Sequence, residues 1–327
     1  MNTDLTRHLH RWLSAGALLL GCGLGWAQGS TSTAASCPPV AQRPSAEQLD
    51  AARAAARDRG LLWRISKGGR SSYLYGTIHL GKLEWAFPGP GIERALAEVQ
   101  AVVLELDTSD PATLTKLQRA MARKPDTPAL PAALRQGLAK ETQAACLPAQ
   151  ALADQLPAVQ ALSLTLLAAR WDGLDASFAQ ELTLAQVAQA RGLPLLALET
   201  VDEQMAALLP ATPAESERFV AQALAQLRNG AARRGAVRLT EAWAQGRLED
   251  LANYAQWCDC VNTEEESQML RRLNDDRNPA MASRIDRLHA QRSLFVGVGA
   301  LHMTGPKALT DLLRQRGFEV ERVRLEH

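Results

Sequence analysis

Charge of one sign is what this chain most lacks. Its 36 Lys and Arg stand against 35 Asp and Glu, a formal net charge of +1, so no strong pull toward nucleic acid or an anionic membrane is expected. Long apolar runs are missing after the amino terminus, and no later segment reads as a membrane span. Aromatic residues are few, at 5 %. His-Glu-x-x-His, the Gly-x-Ser-x-Gly elbow and the phosphate-binding Gly-x-x-x-x-Gly-Lys-Ser/Thr are all absent. Their absence removes the simplest metalloprotease, serine-hydrolase and nucleotide-hydrolysing readings. Histidine is scarce, six in 327 residues, which makes the position of each informative.

Two of the six occupy matching contexts. Tyr73 to Gly81 and Phe295 to Gly305 each run an apolar, strand-like segment into Gly-x-x-His, giving Gly76 with His79 and Gly299 with His302. In α/β folds the point where a strand gives way to a loop is where ligands and metals are usually held. His8 and His10 lie near the amino terminus and His327 is terminal. His289, among Arg284, Arg287 and Arg292, reads as a surface residue. Gly297-Val298-Gly299 opens like a dinucleotide fingerprint, but His302 stands at the third glycine position.

At the amino terminus Arg7 and Arg11 precede an apolar run, Trp12 to Trp26, too short for a permanent span. Residues 1–27 read as a secretory signal cleaved before Gln28, after Gly25-Trp26-Ala27. Leu19-Leu20-Gly21-Cys22 is the rival, a lipobox-like sequence that would leave a lipid anchor on Cys22. Either reading exports the protein, to the periplasm or beyond. The four remaining cysteines, Cys37, Cys146, Cys258 and Cys260, then suggest disulfides. Closing Cys258 on Cys260 would make a tiny strained ring, so each of the two is expected to pair with Cys37 or Cys146. A zinc site on Cys258-Asp259-Cys260 lacks the usual spacer.

Residues 28–45, rich in Ser, Thr, Pro and Gln, read as a flexible leader to a domain over 46–327. A helix is expected from Ala46 to Arg59. A hairpin follows, Leu61 to Ile65 and Ser72 to Tyr75 around Gly68-Gly69. Ala101 to Asp107 reads as a buried strand, and Pro194 to Leu198 as another short apolar strand. Leu294 to Val298 reads as the strand before the second histidine, Pro306 to Arg316 as a helix, and Phe318 to Leu325 as a final edge strand. Helix formers dominate about 110–190 and 213–273. This order predicts an α/β fold: a mixed central sheet with flanking helices and long helical insertions.

Neutral imidazole is a good ligand for zinc, manganese, iron or cobalt, and a glycine three residues before it lets the backbone approach a bound group. Glu105 interrupts an apolar strand, and a buried carboxylate needs a partner. His79, His302 and Glu105 would form a two-His-one-carboxylate set able to polarise a carbonyl and acidify water. The simpler reading is that both histidines are ordinary hydrogen-bonding loop residues. Glu199 has two readings, a general base or a cap on the following helix. Arg277 reads either as an oxyanion stabiliser oriented by Asn278 or as an ion pair with Glu105 or Glu199. Asp175 and Glu181 are expected to be solvated or structural. Tyr75 is a core residue or a pocket wall, and Gly89-Pro90-Gly91 a rigid turn or a moving edge.

Leu74 to His79, Val103 to Asp107, Leu198-Glu199-Thr200 with Gln204, Arg277-Asn278, and Val298 to His302 with Gly305 together resemble the TraB/GumN family, which includes the Tiki metalloproteases. The resemblance runs from about Gly60 to the carboxyl terminus. It implies a fold similar to the erythromycin-esterase and ChaN-like group. It also implies a protease dependent on a divalent metal, manganese or cobalt, with His79, His302 and Glu105 as the required residues; zinc stays open from the ligand set. The resulting expectation is an exported metal-dependent hydrolase acting on a peptide or protein substrate. Two alternatives are a non-catalytic metal- or haem-binding protein and an envelope-assembly scaffold.

Overall fold

Residues 37–40 and 42–326 are described by a computed structural model. The expected signal segment, its cleavage point and Cys22 lie outside the described residues. Gly68 and Gly69, at φ 59° and 75°, turn Leu61–Lys67 (β1) back onto Arg70–Thr77 (β2), with Lys67 opposite Arg70. Positive φ at both central residues matches the right-handed twist of the flanking strands.

Leu294–Gly299 (β5) lies parallel to β2, with Gly76 opposite Val298 and Thr77 opposite Gly299. Ala101–Leu104 (β3) is parallel to β5, and Leu195–Ala197 (β4) is parallel to β3. Glu319–Val323 (β6) pairs antiparallel with β1 as an edge strand, completing a six-stranded mixed sheet in the order β4-β3-β5-β2-β1-β6. The four strands β2, β5, β3 and β4 therefore end on the same edge, where the two Gly-x-x-His segments emerge. The fold is α/β, as expected.

The sheet centre is apolar because β3 and β5 are covered on both faces. Leu62, Leu74, Val103, Phe295 and Val296 are fully buried, each contributing about 1.5–3 kcal/mol by removal from water. Helix Gln180–Arg191 packs on β3, β4 and β5. A Cβ on Gly297 would fall 2.6 Å from Leu184 of that helix, so glycine there permits close docking. Helices fill both connections: Pro111–Met121, Ala132–Ala144 and Pro157–Leu167 precede Gln180–Arg191, and Val201–Leu208 through Asn278–His289 separate β4 from β5. Leu130, Leu138 and Leu164 from the first connection meet Val220 and Leu224 from the second in a satellite core.

Several expectations need correction. The first helix covers Ala46–Ala54 and the last Leu309–Gln315, each shorter than anticipated. β3 stops at Leu104 rather than Asp107, because Asp107 turns the chain by accepting from the amide and hydroxyl of Ser109. The disulfides are Cys37–Cys146 and Cys258–Cys260, not cross-pairs between the two sets. By loop-closure entropy the first, spanning 109 positions, constrains the unfolded chain by about 5 kcal/mol and the second by less than about 2 kcal/mol. His289 is buried rather than superficial. Its Nδ1 lies 2.8 Å from the Ser72 hydroxyl and its Nε2 3.1 Å from the Lys67 carbonyl, which ties the 278–289 helix to the hairpin.

Gly89-Pro90-Gly91 is a packed turn. A Cβ on Gly89 would meet the backbone of Arg57 and Asp58, and the Asp58 carboxylate accepts from the Gly91 and Ile92 amides. Among the described residues no helix is long and apolar enough to cross a membrane.

Candidate functional site

Glu105 follows β3 directly. The Leu198 amide donates to the Leu104 carbonyl at 2.8 Å and the Glu199 amide to the Glu105 carbonyl at 2.9 Å. These bonds carry the parallel pairing past the strand ends and set the two glutamates side by side. Their side chains are only 7 % and 5 % exposed, so the pair needs a counter-charge. Arg277 supplies it from just before helix Asn278–His289. Its Nη2 lies 2.5 Å from both Glu105 Oε2 and Glu199 Oε2, and its Nε donates to Glu199 Oε1 at 3.0 Å. Gln204 donates to Glu105 Oε2 at 3.1 Å, and the Gly299 amide donates to Glu105 Oε1 at 2.8 Å. Gly299 thus acts on the site through its N–H.

His302, 3 % exposed, sits in the short turn Ala300–Met303 after β5. Its Nδ1 is 2.6 Å from Asn278 Oδ1, while the Asn278 amide nitrogen donates to the carbonyls of His302 and Lys307. Those two donations fix which end of the amide faces the ring. Nδ1 therefore carries the hydrogen, and Nε2 is the acceptor nitrogen. It accepts from Arg277 Nη1 at 3.4 Å and lies 3.6 Å from Glu105 Oε1. Burial pushes the His302 pKa down to about 4, so the ring is neutral near pH 7. Burial would raise Glu105, but His302, Arg277 and His79 together with the Gly299 amide hold it at about 2. Above the His302 pKa, Arg277 is the fixed positive charge in contact with it. Burial raises Glu199 from its ordinary value despite Arg277.

His79 stands apart from this cluster. It lies two residues beyond β2, 66 % exposed, with Nδ1 3.1 Å from Glu181 Oε1. Glu181, in the first turn of helix Gln180–Arg191, also accepts from the Thr77 hydroxyl, and its second oxygen is buried without a partner. The Glu181 charge lifts His79 to about 9, leaving it an imidazolium at neutral pH. Against its own burial, Glu181 is held below the ordinary value by His79. The His79 charge also helps to hold the His302 pKa down.

The structure thus brings together Glu105, Glu199, Arg277, Asn278, Gly299 and His302, with His79 on the neighbouring strand end. Arg277 makes the ion pair read as the alternative to an oxyanion role. Glu199 does not cap the next helix, because Thr200 does so through its hydroxyl. Asn278 orients His302 rather than Arg277. Gly76 serves packing: its carbonyl accepts from Trp243 Nε1 at 2.6 Å, and a Cβ there would lie 3.1 Å from Ala300. Tyr75 is core, donating to the Arg59 carbonyl. Asp175 is structural, bound to Arg170 and the Ser177 amide. Glu181, read from sequence as solvated or structural, is instead the partner of His79. No local pattern around Glu181 announces it, since its role depends on where its helix docks across β5.

The donors suit a divalent cation in chemistry. Both histidines have Nδ1 beside an acceptor, the outer-shell pattern usual for ligating histidines, although His79 would have to release a proton before Nε2 could bind a metal. The 3.6 Å between His302 Nε2 and Glu105 Oε1 is close to the separation of about 3.4 Å between two ligands sharing a tetrahedral zinc. The three-ligand set is not closed, however. Among the described residues no three His, Cys, Asp or Glu are gathered closely enough to hold a metal ion. A family model described as the TraB/PrgY/gumN family matches residues 61–322. No curated protein and no solved structure shows a significant match.

Proposed function

The chain belongs to the TraB/PrgY/gumN family, and from that premise we propose that it is an exported, metal-dependent hydrolase cleaving peptide bonds. One observation carries the reading. Two Gly-x-x-His segments leave adjacent parallel strands, both histidines anchored through Nδ1, and Nε2 of the second lies 3.6 Å from a buried glutamate oxygen. The apolar amino terminus and the two disulfides support export.

His302 and Glu105 would hold the cation, with His79 as the third donor once its Nε2 proton is released. A bound manganese, cobalt or zinc ion supplies a polarised carbonyl and an acidified water. Glu199, whose proton affinity is raised by burial, is placed to accept a proton and return it to a leaving amine. Arg277, fixed by two carboxylates, presents a permanent positive charge beside any oxygen that becomes negative. Asn278 keeps His302 in the tautomer that leaves Nε2 unprotonated.

The test is hydrolysis of a peptide library by the chelator-stripped protein, resupplied in turn with manganese, cobalt and zinc. Cleavage that disappears in Glu105→Gln and His302→Ala, with the fold intact, supports the assignment. Equal cleavage by both variants and the unaltered protein would sink it. Metal uptake without turnover favours the binding-protein alternative.

A further inference from the structure

The two disulfides differ in ways unrelated to the candidate hydrolase site. Cys37–Cys146 closes 109 positions, whereas Cys258–Cys260 closes a ring through Asp259 alone. So short a link removes little freedom from the unfolded chain, and its stabilising effect does not account for its presence. The turn is held without it. Cys258 donates its amide to the Tyr254 carbonyl, Val261 donates to the Cys258 carbonyl, and the Asn262 side chain donates to the Asp259 carbonyl. Trp257 Nε1 donates to the Asp250 carbonyl, and Arg238 stacks 4.3 Å from its ring. Opening the sulfur–sulfur bond breaks none of these contacts.

The two sulfurs also sit in different surroundings. Cys258 is 5 % exposed, while Cys260 is half-buried and open to solvent. The Tyr254 hydroxyl lies 3.0 Å from Cys260 Sγ, and a disulfide sulfur carries no hydrogen, so the phenol must be the donor. Burial pushes the Tyr254 pKa up to about 12, which keeps that proton in place. Asp259, the acidic residue inside the ring, is paired with Arg234 at 3.2 Å, which offsets its repulsion of an incoming thiolate.

We propose that Cys258–Cys260 is a reversible thiol–disulfide exchange site whose co-reactant is a small-molecule thiol, with Cys260 as the exchanging sulfur and Cys258 as the resolving one. A thiolate attacks Cys260 Sγ. The Cys258–Cys260 bond breaks, its electron pair leaves on Cys258 Sγ, and a proton from solvent follows. A second thiolate then attacks the thiol-derived sulfur of the mixed disulfide, releasing the oxidised thiol and the Cys260 thiolate. Two thiols are oxidised and one protein disulfide is reduced. In reverse, Cys260, steadied by the Tyr254 hydroxyl, is the nucleophile and Cys258 closes the ring. Exposed and strained disulfides are the labile ones, and this one closes across a single residue with one sulfur open to solvent.

Full-length protein equilibrated in glutathione buffers of stepped composition, acid-quenched, alkylated and peptide-mapped tests this. Cys258 and Cys260 should become alkylated at a poise about tenfold less reducing than Cys37 and Cys146, with near-ultraviolet circular dichroism unchanged. Cys258→Ser should accumulate glutathione on Cys260, and Cys260→Ser should take it up at Cys258 about tenfold more slowly. Tyr254→Phe should slow the exchange several-fold. Opening of both pairs at one poise, or opening of Cys258–Cys260 only with loss of the circular dichroism signal, overturns the proposal. Equal glutathione uptake by the two serine variants overturns the assignment of Cys260.

Discussion

Replacing Arg277 by methionine in the chelator-treated protein removes the one positive side chain among the described residues that contacts both Glu105 and Glu199. Arg277 is 12 % exposed and the two carboxylates 7 % and 5 %, so little solvent is available to take over. Breaking a buried pair from one side costs about 3–5 kcal/mol because a charge is left without a partner. For a domain of this size that is a loss of roughly 6–10 °C in Tm. The pH dependence gives a sharper signature. With Arg277 present, Glu105 is held at about 2, so its contribution is complete above the unfolded value of about 4.5 and is lost as pH falls toward about 2. Without Arg277, Glu199, which burial already raises, binds its proton still more tightly than the unfolded chain does, and the variant recovers stability as pH falls. The gap between the two proteins should therefore narrow from about pH 7 to about pH 5 in urea titrations followed by circular dichroism. Adding Glu105→Gln to the variant should restore about 1–3 kcal/mol as a coupling energy. A loss below about 1 kcal/mol, or a gap that stays constant with pH, would refute a buried clamp.

Asn278→Ala removes the acceptor that holds His302 Nδ1–H. Divalent-metal affinity should fall about 10–100-fold by calorimetry, while Asn278→Asp, which keeps an acceptor oxygen, should retain more of it; equal affinities would contradict the role. Gly76→Ala places a Cβ 3.1 Å from Ala300 and should cost about 1–3 kcal/mol in thermal unfolding, an unchanged Tm being the contrary result. His289 has its pKa lowered by burial, so the folded state binds that proton less tightly than the unfolded chain, and stability from this group is lost as pH drops below about 6.5. His289→Gln should flatten the fall in stability between about pH 7 and pH 5; parallel slopes would show that the buried ring does not titrate as described.

Much of the architecture was legible because the strands carry their own signals. Gly68-Gly69 marks a hairpin, and the unbroken apolar run Ala101 to Leu104 marks a strand covered on both faces. The pairing of Gly76 with His79 and Gly299 with His302 located the sheet edge where the site lies. Less was legible where a role depends on long-range docking. Glu181 reaches His79 only because its helix crosses β5 above Gly297, and Asn278 reaches His302 only because the helix it begins lies against β5. His289 looked superficial among arginines, yet one face of its helix is turned to Ser72. The cysteine pairing was misjudged because ring strain was weighed without the folded distances, which place Cys37 beside Cys146.

Metal analysis of protein purified without chelator, alongside His79→Ala and His302→Ala, most directly tests the central claim that the two Gly-x-x-His segments share one cation. The account predicts near-stoichiometric divalent metal in the unaltered protein and its loss in both variants, with circular dichroism unchanged. No metal as purified and none taken up on titration with manganese, cobalt or zinc would contradict it, as would full retention of the metal in either variant.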